Sequence, residues 1–192
     1  MNPEITNNIR AARPDDFKQV APLIVQAMED LACTFANTND PQKTLPLFEH
    51  FFQQKQNQYS FENTLVYEEN GEIAGSITAY NGALLPFYRD AFLKYISENY
   101  NVKDLLIENE TIHGELYIDT LSVYPRFQGK GIGSKLLLAI KAKAKEEGHK
   151  KIGLLVDFKN PGAKKLYSTL GYETVGRKQL GNSIYEHLQL RL

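Results

Sequence analysis

Apolar residues recur at helical spacing early in the chain, at Phe17, Val20, Leu23, Ile24 and Ala27. They follow Pro14-Asp15-Asp16, where proline suits the first turn and the acids suit the positive helix end. Asn8 to Ala12 precedes them as a short predicted strand. A second helical pattern runs from Pro41 to Gln56, with Leu45, Phe48, Phe51 and Phe52 on one side. Its three phenylalanines line either a core or a groove. The spacing then changes from helical to alternating. Thr64 to Tyr67 and Ile73 to Tyr80 read as two strands joined by Glu69-Asn70-Gly71-Glu72, in which Asn-Gly supplies the positive φ of a tight hairpin.

The next strand starts only at Glu115, and the intervening stretch of about 35 residues is too long for a bare loop. Pro86 to Tyr100 predicts a helix rich in aromatics, among them Phe87, Tyr88, Phe92, Tyr95 and Tyr100. It reads as a helical insertion over about residues 83–113, inside a single domain that spans 1–192. The last third is the most regular. It predicts a strand from Glu115 to Val123, a Gly-rich loop, a helix from Ile132 to Glu147 and a strand from Lys151 to Val156. A helix from Asn160 to Leu170 follows, then strands Tyr172–Arg177 and Ser183–Leu190. Strand, glycine loop, helix, strand is an α/β unit with a crossover.

Composition fits this reading. The chain has 192 residues, 42% hydrophobic and 23% charged, which suits one globular domain and excludes collagen-like and coiled-coil classes. Net charge is −1, so a strongly basic nucleic-acid binder is not expected. No apolar run has the length of a membrane span, and Met1 to Arg10 lacks the apolar core of a signal peptide. A cytoplasmic protein without a membrane partner is expected. A single cysteine, Cys33, leaves no disulfide framework, and the four histidines show no ligand spacing, so no metal is expected. The charge is unevenly distributed, since residues 121–192 hold 14 of the 22 basic residues but 5 of the 23 acidic ones. A basic half suits a phosphate-bearing ligand and an acidic half suits a cation such as an amine; plain solvation of two surfaces is the alternative.

The Gly-rich loop carries the chemistry. Arg126-Phe127-Gln128-Gly129-Lys130-Gly131-Ile132-Gly133-Ser134 lies between a strand end and a helix start. Glycines let backbone approach a ligand, and the helix start offers unpaired N–H groups and a positive dipole end, together an anion site. It is not a P-loop, because no Ser or Thr follows Gly129-Lys130. It is not a dinucleotide loop either: Gly133 comes one residue early and Ile152 to Val156 brings no acid for a ribose.

The run resembles the acetyl-coenzyme-A motif of the GNAT superfamily of N-acetyltransferases, Gln/Arg-x-x-Gly-x-Gly/Ala, on Gln128, Gly131 and Gly133. Leu121-Ser122-Val123-Tyr124-Pro125 before it is also typical. A second family element, an Asn before the next helix followed by Ala and Tyr, falls on Asn160, Ala163 and Tyr167 and ends in Leu170-Gly171-Tyr172. The resemblance covers Glu115 to about Val175. It implies a mixed, mostly antiparallel sheet flanked by helices, acetyl-CoA as cofactor, and a primary amine of a small molecule or peptide as acceptor. It implies that the backbone of Gly129, Lys130, Gly131, Ile132, Gly133 and Ser134 holds the pyrophosphate. Leu121, Ser122 and Val123 would pair with the pantetheine arm, and Asn160 would contact the coenzyme. A homodimer is compatible with it, and a non-catalytic acyl-CoA-binding module is the alternative function.

Tyr167 is implied as the acid that protonates the leaving thiolate, or it is simply core, since it stands at helical spacing from Ala163 and Leu170. Asn160 is a coenzyme contact or only a helix N-cap. Lys130, Lys135 and Lys164 are candidate phosphate partners. The family places a base on the strand before the loop, where Asp119 is the first candidate and Glu115 or a water the others. The two carboxylates share a face if the strand alternates regularly; a bulge would break that count. Glu29, Asp30, Glu68 and Asp90 are candidate attractors of a cationic amine, and the insertion's aromatics either roof the acceptor cleft or pack the inserted helix.

Overall fold

The computed structural model describes residues 8–192 apart from 29, 104, 106, 108, 181 and 182. The described strands form one seven-stranded sheet. In chain order they are β1 (Ile9–Ala11), β2 (Thr64–Glu69), β3 (Glu72–Asn81), β4 (Glu115–Val123), β5 (Lys151–Asp157), β6 (Glu173–Leu180) and β7 (Ser183–Arg191). The spatial order is β1-β2-β3-β4-β5-β7-β6, and only β4 and β5 run parallel. The helices are α1 (Phe17–Met28), α2 (Asp30–Phe35), α3 (Leu45–Gln53), α4 (Leu85–Tyr100), α5 (Ile132–Glu146) and α6 (Pro161–Thr169). This is the mixed, mostly antiparallel sheet with flanking helices that the sequence leads one to expect, and α4 is the expected helix before the fourth strand. Two boundaries differ. The stretch 41–56 opens as a 3-10 turn and its helix stops at Gln53, while Asp30–Phe35 adds a helix that the pattern does not announce.

Each face of the sheet buries its own core. On one, α1 and α3 pack with α4 around Val20, Leu23, Ile24, Phe48, Phe52 and Phe92, all at most 1% exposed. On the other, α5 and α6 cover Ile77, Leu116, Ile118, Leu136, Ile140 and Tyr167. The insertion is keyed into the first core by aromatic edges: the Phe92 ring lies about 5 Å from those of Phe35, Phe51 and Tyr59. Its aromatics therefore pack the helix, and Phe87 points to solvent.

Two irregularities of β4 set up the rest. It pairs with β5 only from Glu115 to Ile118, against Lys151 to Leu154, and beyond that β5 continues against β7 alone. At the same point its register with β3 shifts, Ala79 facing Ile118 and Thr78 facing Thr120, which leaves Asp119 as the extra residue of a bulge. The bulge follows the run from Glu115 to Ile118, so Glu115, Tyr117 and Asp119 share one face.

Glu115 is fully buried at the closed end of this strand pair. Its oxygens accept from the Ile112 amide at 2.7 Å and Gln189 Nε2 at 2.6 Å, and His187 Nε2 stands 3.3 Å away. The carboxylate occupies the space above Gly153, where a Cβ would meet Glu115 Oε2 at 2.2 Å. Gly153→Ala is therefore expected to destabilise the fold by about 1–3 kcal/mol, by overpacking a fully buried side chain already held by the Ile112 amide and Gln189. Urea unfolding followed by circular dichroism reads this; an unshifted midpoint would show that Glu115 can rearrange.

Candidate active site

The divergence of β4 from β5 leaves the edge of Leu121, Ser122 and Val123 without a strand partner on that side. An open cleft of about 470 Å³ lies along it. It is lined by Leu121 to Val123, by the loop from Phe127 to Ser134 except Lys130, and by Asn160, Gly162, Ala163, Leu166 and Tyr167. The two sequence motifs, about 30 residues apart, thus meet in one cavity. Gly129 and Gly131 both take left-handed φ, +77° and +74°, with open space where a Cβ would stand. Gly131 is the N-cap of α5 and no side chain caps that helix, so its first N–H groups face the cleft with the positive dipole end behind them. Successive amides in this conformation form an anion-binding nest. Gln128 steadies the loop through its Nε2, which donates to the Val123 carbonyl at 3.0 Å. Gly133 has a packing use, since a Cβ there would lie 3.4 Å from Leu166, where α6 closes on α5.

Asn160 and Tyr167 have structural roles and also line the cleft. Asn160 Oδ1 accepts from the Ala163 amide at 3.0 Å as the N-cap of α6, which leaves its side-chain amide to the cleft. Tyr167 is 8% exposed, within the core yet on the cleft wall, and burial pushes its hydroxyl up to about 12, so it stays protonated. The candidate lysines are already engaged. Lys130 pairs with Glu69 at 3.0 Å, Lys135 donates to the Tyr67 hydroxyl at 3.3 Å, and Lys164 pairs with the nearly buried Glu186 at 2.6 Å.

Across the sheet, a chamber of about 90 Å³ holds Asp119. Asp119 Oδ2 accepts from the Tyr80 hydroxyl at 2.6 Å. Burial and the charge of Glu110 push its carboxyl up to about 7, against the pull of the Tyr80 hydrogen bond and the Arg89 guanidinium. Arg89 and Glu110 are themselves buried, with Arg89 Nη2 2.5 and 2.6 Å from the two Glu110 oxygens. Burial alone would lower the guanidinium; Glu110 more than offsets it, and its pKa is raised. A vestibule of about 170 Å³, with Asp30, Asp157 and Lys159 on its walls, shares lining residues with both cleft and chamber. It holds Asn160 in common with the cleft, and Ala27, Met28, Leu155 and Tyr185 in common with the chamber.

Of the two β4 carboxylates, Asp119 faces a cavity and Glu115 does not. Of the acids proposed to attract a cation, Asp30 lines the vestibule, Glu68 is tied to Arg10 at 2.8 Å, Asp90 is exposed to solvent, and Glu29 lies outside the described residues. The sequence reading missed Tyr80, Arg89 and Glu110. Arg89 had a signal: it stands with Leu85, Phe92 and Ile96 on the buried face of α4, a charge in an apolar row. Among the described residues no cluster of three or more His, Cys, Asp or Glu is arranged for a metal, and no helix is long and apolar enough to cross a membrane.

The sequence profile of the Acetyltransferase (GNAT) family matches residues 25–172. A solved acetyltransferase is 33% identical over 95% of this chain and 98% of its own, with a TM-score of 0.78. An N-acetyltransferase from Staphylococcus aureus Mu50 is 27% identical over 95% and 99%, with a TM-score of 0.82. The GCN5-related N-acetyltransferase 4, chloroplastic, of Arabidopsis thaliana is 37% identical over 62 residues, which are 32% of this chain and only 21% of that relative.

Removing the guanidinium beneath the chamber tests how its charges are balanced. Arg89→Met leaves Glu110 buried and unpaired, and is expected to cost about 3–5 kcal/mol in urea unfolding, with Arg89→Met/Glu110→Leu recovering much of the loss. A single variant within 1 kcal/mol of the unaltered protein would mean that Glu110 reaches water.

Proposed function

The chain belongs to the GNAT acetyltransferase family, and on that premise we propose that it transfers an acetyl group from acetyl-CoA to a primary amine, working as one domain over residues 1–192. The observation that carries the reading is that the cleft runs along the β4 edge where it leaves β5, while Asp119, at the same opening, lines a chamber on the other face of the sheet. The donor set of the cleft fits the coenzyme. Uncapped amides and a dipole suit its pyrophosphate, and an unpaired strand edge suits the amides of its pantetheine arm.

When bound, acetyl-CoA supplies an acetyl thioester. The amides of Gly129 to Ser134 would hold its pyrophosphate end, and the unpaired edge from Leu121 to Val123 would hold the amides of its arm. Asp119, ionised above about pH 7, takes the proton that the attacking amine nitrogen must lose, directly or through water. Tyr80 keeps that carboxylate in place. Tyr167, protonated at neutral pH, donates its hydroxyl proton to the departing thiolate sulfur as the carbon–sulfur bond breaks. Nitrogen thereby gains the acetyl group and loses a proton, and sulfur gains one. No covalent enzyme intermediate is required.

Calorimetric titration with acetyl-CoA, with ATP and NAD as controls, is the direct test. Acetyl-CoA alone is expected to bind, and Gly131→Glu to abolish that binding, because the variant fills the nest with a like charge. Unaltered affinity in the variant would remove the anion site from the argument. Binding with no turnover of any amine would leave an acyl-CoA-binding module. The pH profile tests Asp119 separately. Its raised pKa means that the base form is lost as pH falls, so kcat/KM should rise through an inflection near 7. Asp119→Asn should lower the rate by about 10²–10⁴ and erase that inflection, and an inflection that persists would assign the proton to another group.

A further inference from the structure

The chamber wall carries a polar atom that the proposed reaction does not use. Gln58 is 2% exposed and lines the same chamber as Asp119. Its side chain hydrogen-bonds the Tyr59 hydroxyl, which leaves Oε1 buried with no hydrogen-bond partner among the described residues. Buried acceptors are almost always satisfied, so an orphan in a cavity wall points to a donor that arrives with a ligand.

The loop that presents it is fixed from both sides. Asn57 Nδ2 donates to the carbonyls of Phe51 at 2.9 Å and Gln54 at 3.0 Å, and its Oδ1 accepts from the Tyr59 amide at 2.8 Å. Asn63 Nδ2 then donates to the Asn57 carbonyl at 2.9 Å. Gln58 therefore sits between two residues anchored to the core, Asn57 through these bonds and Tyr59 through its ring stacking.

The charges around Gln58 favour one sign of ligand. The chamber holds two carboxylates, Asp119 and Glu110, against the Arg89 guanidinium, and Glu110 already engages Arg89. A carboxylate-bearing tail would meet like charge there. A purely alkyl tail would seal Gln58 Oε1 from water and leave it unpaired. An ammonium brings three donors and the opposite charge. Met28, Leu31 and Phe35 supply the apolar wall for the methylenes between. The chamber is small, at about 90 Å³, which favours a short chain over a long one.

We infer that the acceptor is a short aliphatic diamine, whose reacting amine lies at Asp119 and whose second, ammonium end is read by Gln58 Oε1 with the edge of Glu110. The inference rests on the acetyltransferase reading above and names the acceptor class of that same site. Gln58 is a specificity residue in it and takes no part in the proton transfers.

Acetyl transfer from acetyl-CoA to 1,4-diaminobutane, n-butylamine and 4-aminobutanoate, three acceptors of matched chain length, tests it. The diamine is expected to exceed butylamine in kcat/KM by at least about tenfold, with 4-aminobutanoate below both. In Gln58→Leu, the ratio of diamine to butylamine should fall toward one. Calorimetric binding of acetyl-CoA, on the other face of the sheet, reports whether that variant is folded, and Gln58→Asn is the milder substitute if it is not. Equal kcat/KM for diamine and butylamine would overturn the inference, as would a ratio that Gln58→Leu and Gln58→Asn leave unaltered. So would acetyl-CoA binding without acetylation of any of the three. Failure to bind acetyl-CoA at all would instead overturn the acetyltransferase reading, and the inference would fall with it.

Discussion

The separation of β4 from β5 after four paired residues is the constraint on which everything else in this protein depends. A parallel pair that stayed in register would bury the amides of Leu121 to Val123 in a ladder and close the sheet. Because β5 continues against β7 while β4 stays with β3, the sheet opens at its centre. The α5–α6 face of the gap becomes the cleft, and the α1–α4 face becomes vestibule and chamber. The bulge at Asp119 falls at the opening, so the strand that leaves its partner also turns a carboxylate toward the far side. One backbone event thus leaves an unpaired edge on one face of the sheet, a cavity on the other and an acid at the opening.

The two acids of β4 show how place decides role. Glu115 and Asp119 lie four residues apart on one strand face, and both are desolvated. Glu115, at the closed end, is saturated by the Ile112 amide and Gln189, with His187 alongside, and it fills the space that Gly153 leaves empty. Its surroundings fix it in position. Asp119, at the open end, has one short hydrogen bond from Tyr80 and the unfavourable neighbour Glu110, so its carboxyl is poised near neutrality. A group that exchanges protons near neutral pH needs this partial satisfaction.

What the sequence disclosed follows from which interactions are local. The hairpin at Asn70-Gly71, the α5 start at Gly131 and the cap at Asn160 are set by φ preferences and by bonds spanning a few residues, and each stands where the pattern puts it. The cleft was legible for the same reason, since its residues lie in two stretches, 121–134 and 160–167. The chamber was not. Gln58, Arg89, Glu110 and Asp119 come from four segments that only tertiary packing brings together. Likewise, the short helix Asp30–Phe35 is anchored by Phe35 against Phe92, a contact across more than fifty residues that no periodicity within the helix announces.

The insertion shows why specificity is carried by such distant parts. Aromatic edges from Phe35, Phe51 and Tyr59 grip Phe92, so α4 is held by the main core and has no independent one. A rigidly held helix fixes Arg89 one turn from Phe92, Arg89 fixes Glu110, and Glu110 in turn raises the Asp119 carboxyl. The electrostatics around Asp119 are therefore coupled to a segment outside the glycine-loop motif. A change in the insertion would alter both the shape of the chamber and the pH at which the Asp119 carboxyl titrates, while the cleft on the opposite face kept its geometry. The two faces of the sheet can vary separately, because chamber and cleft are lined by different residues.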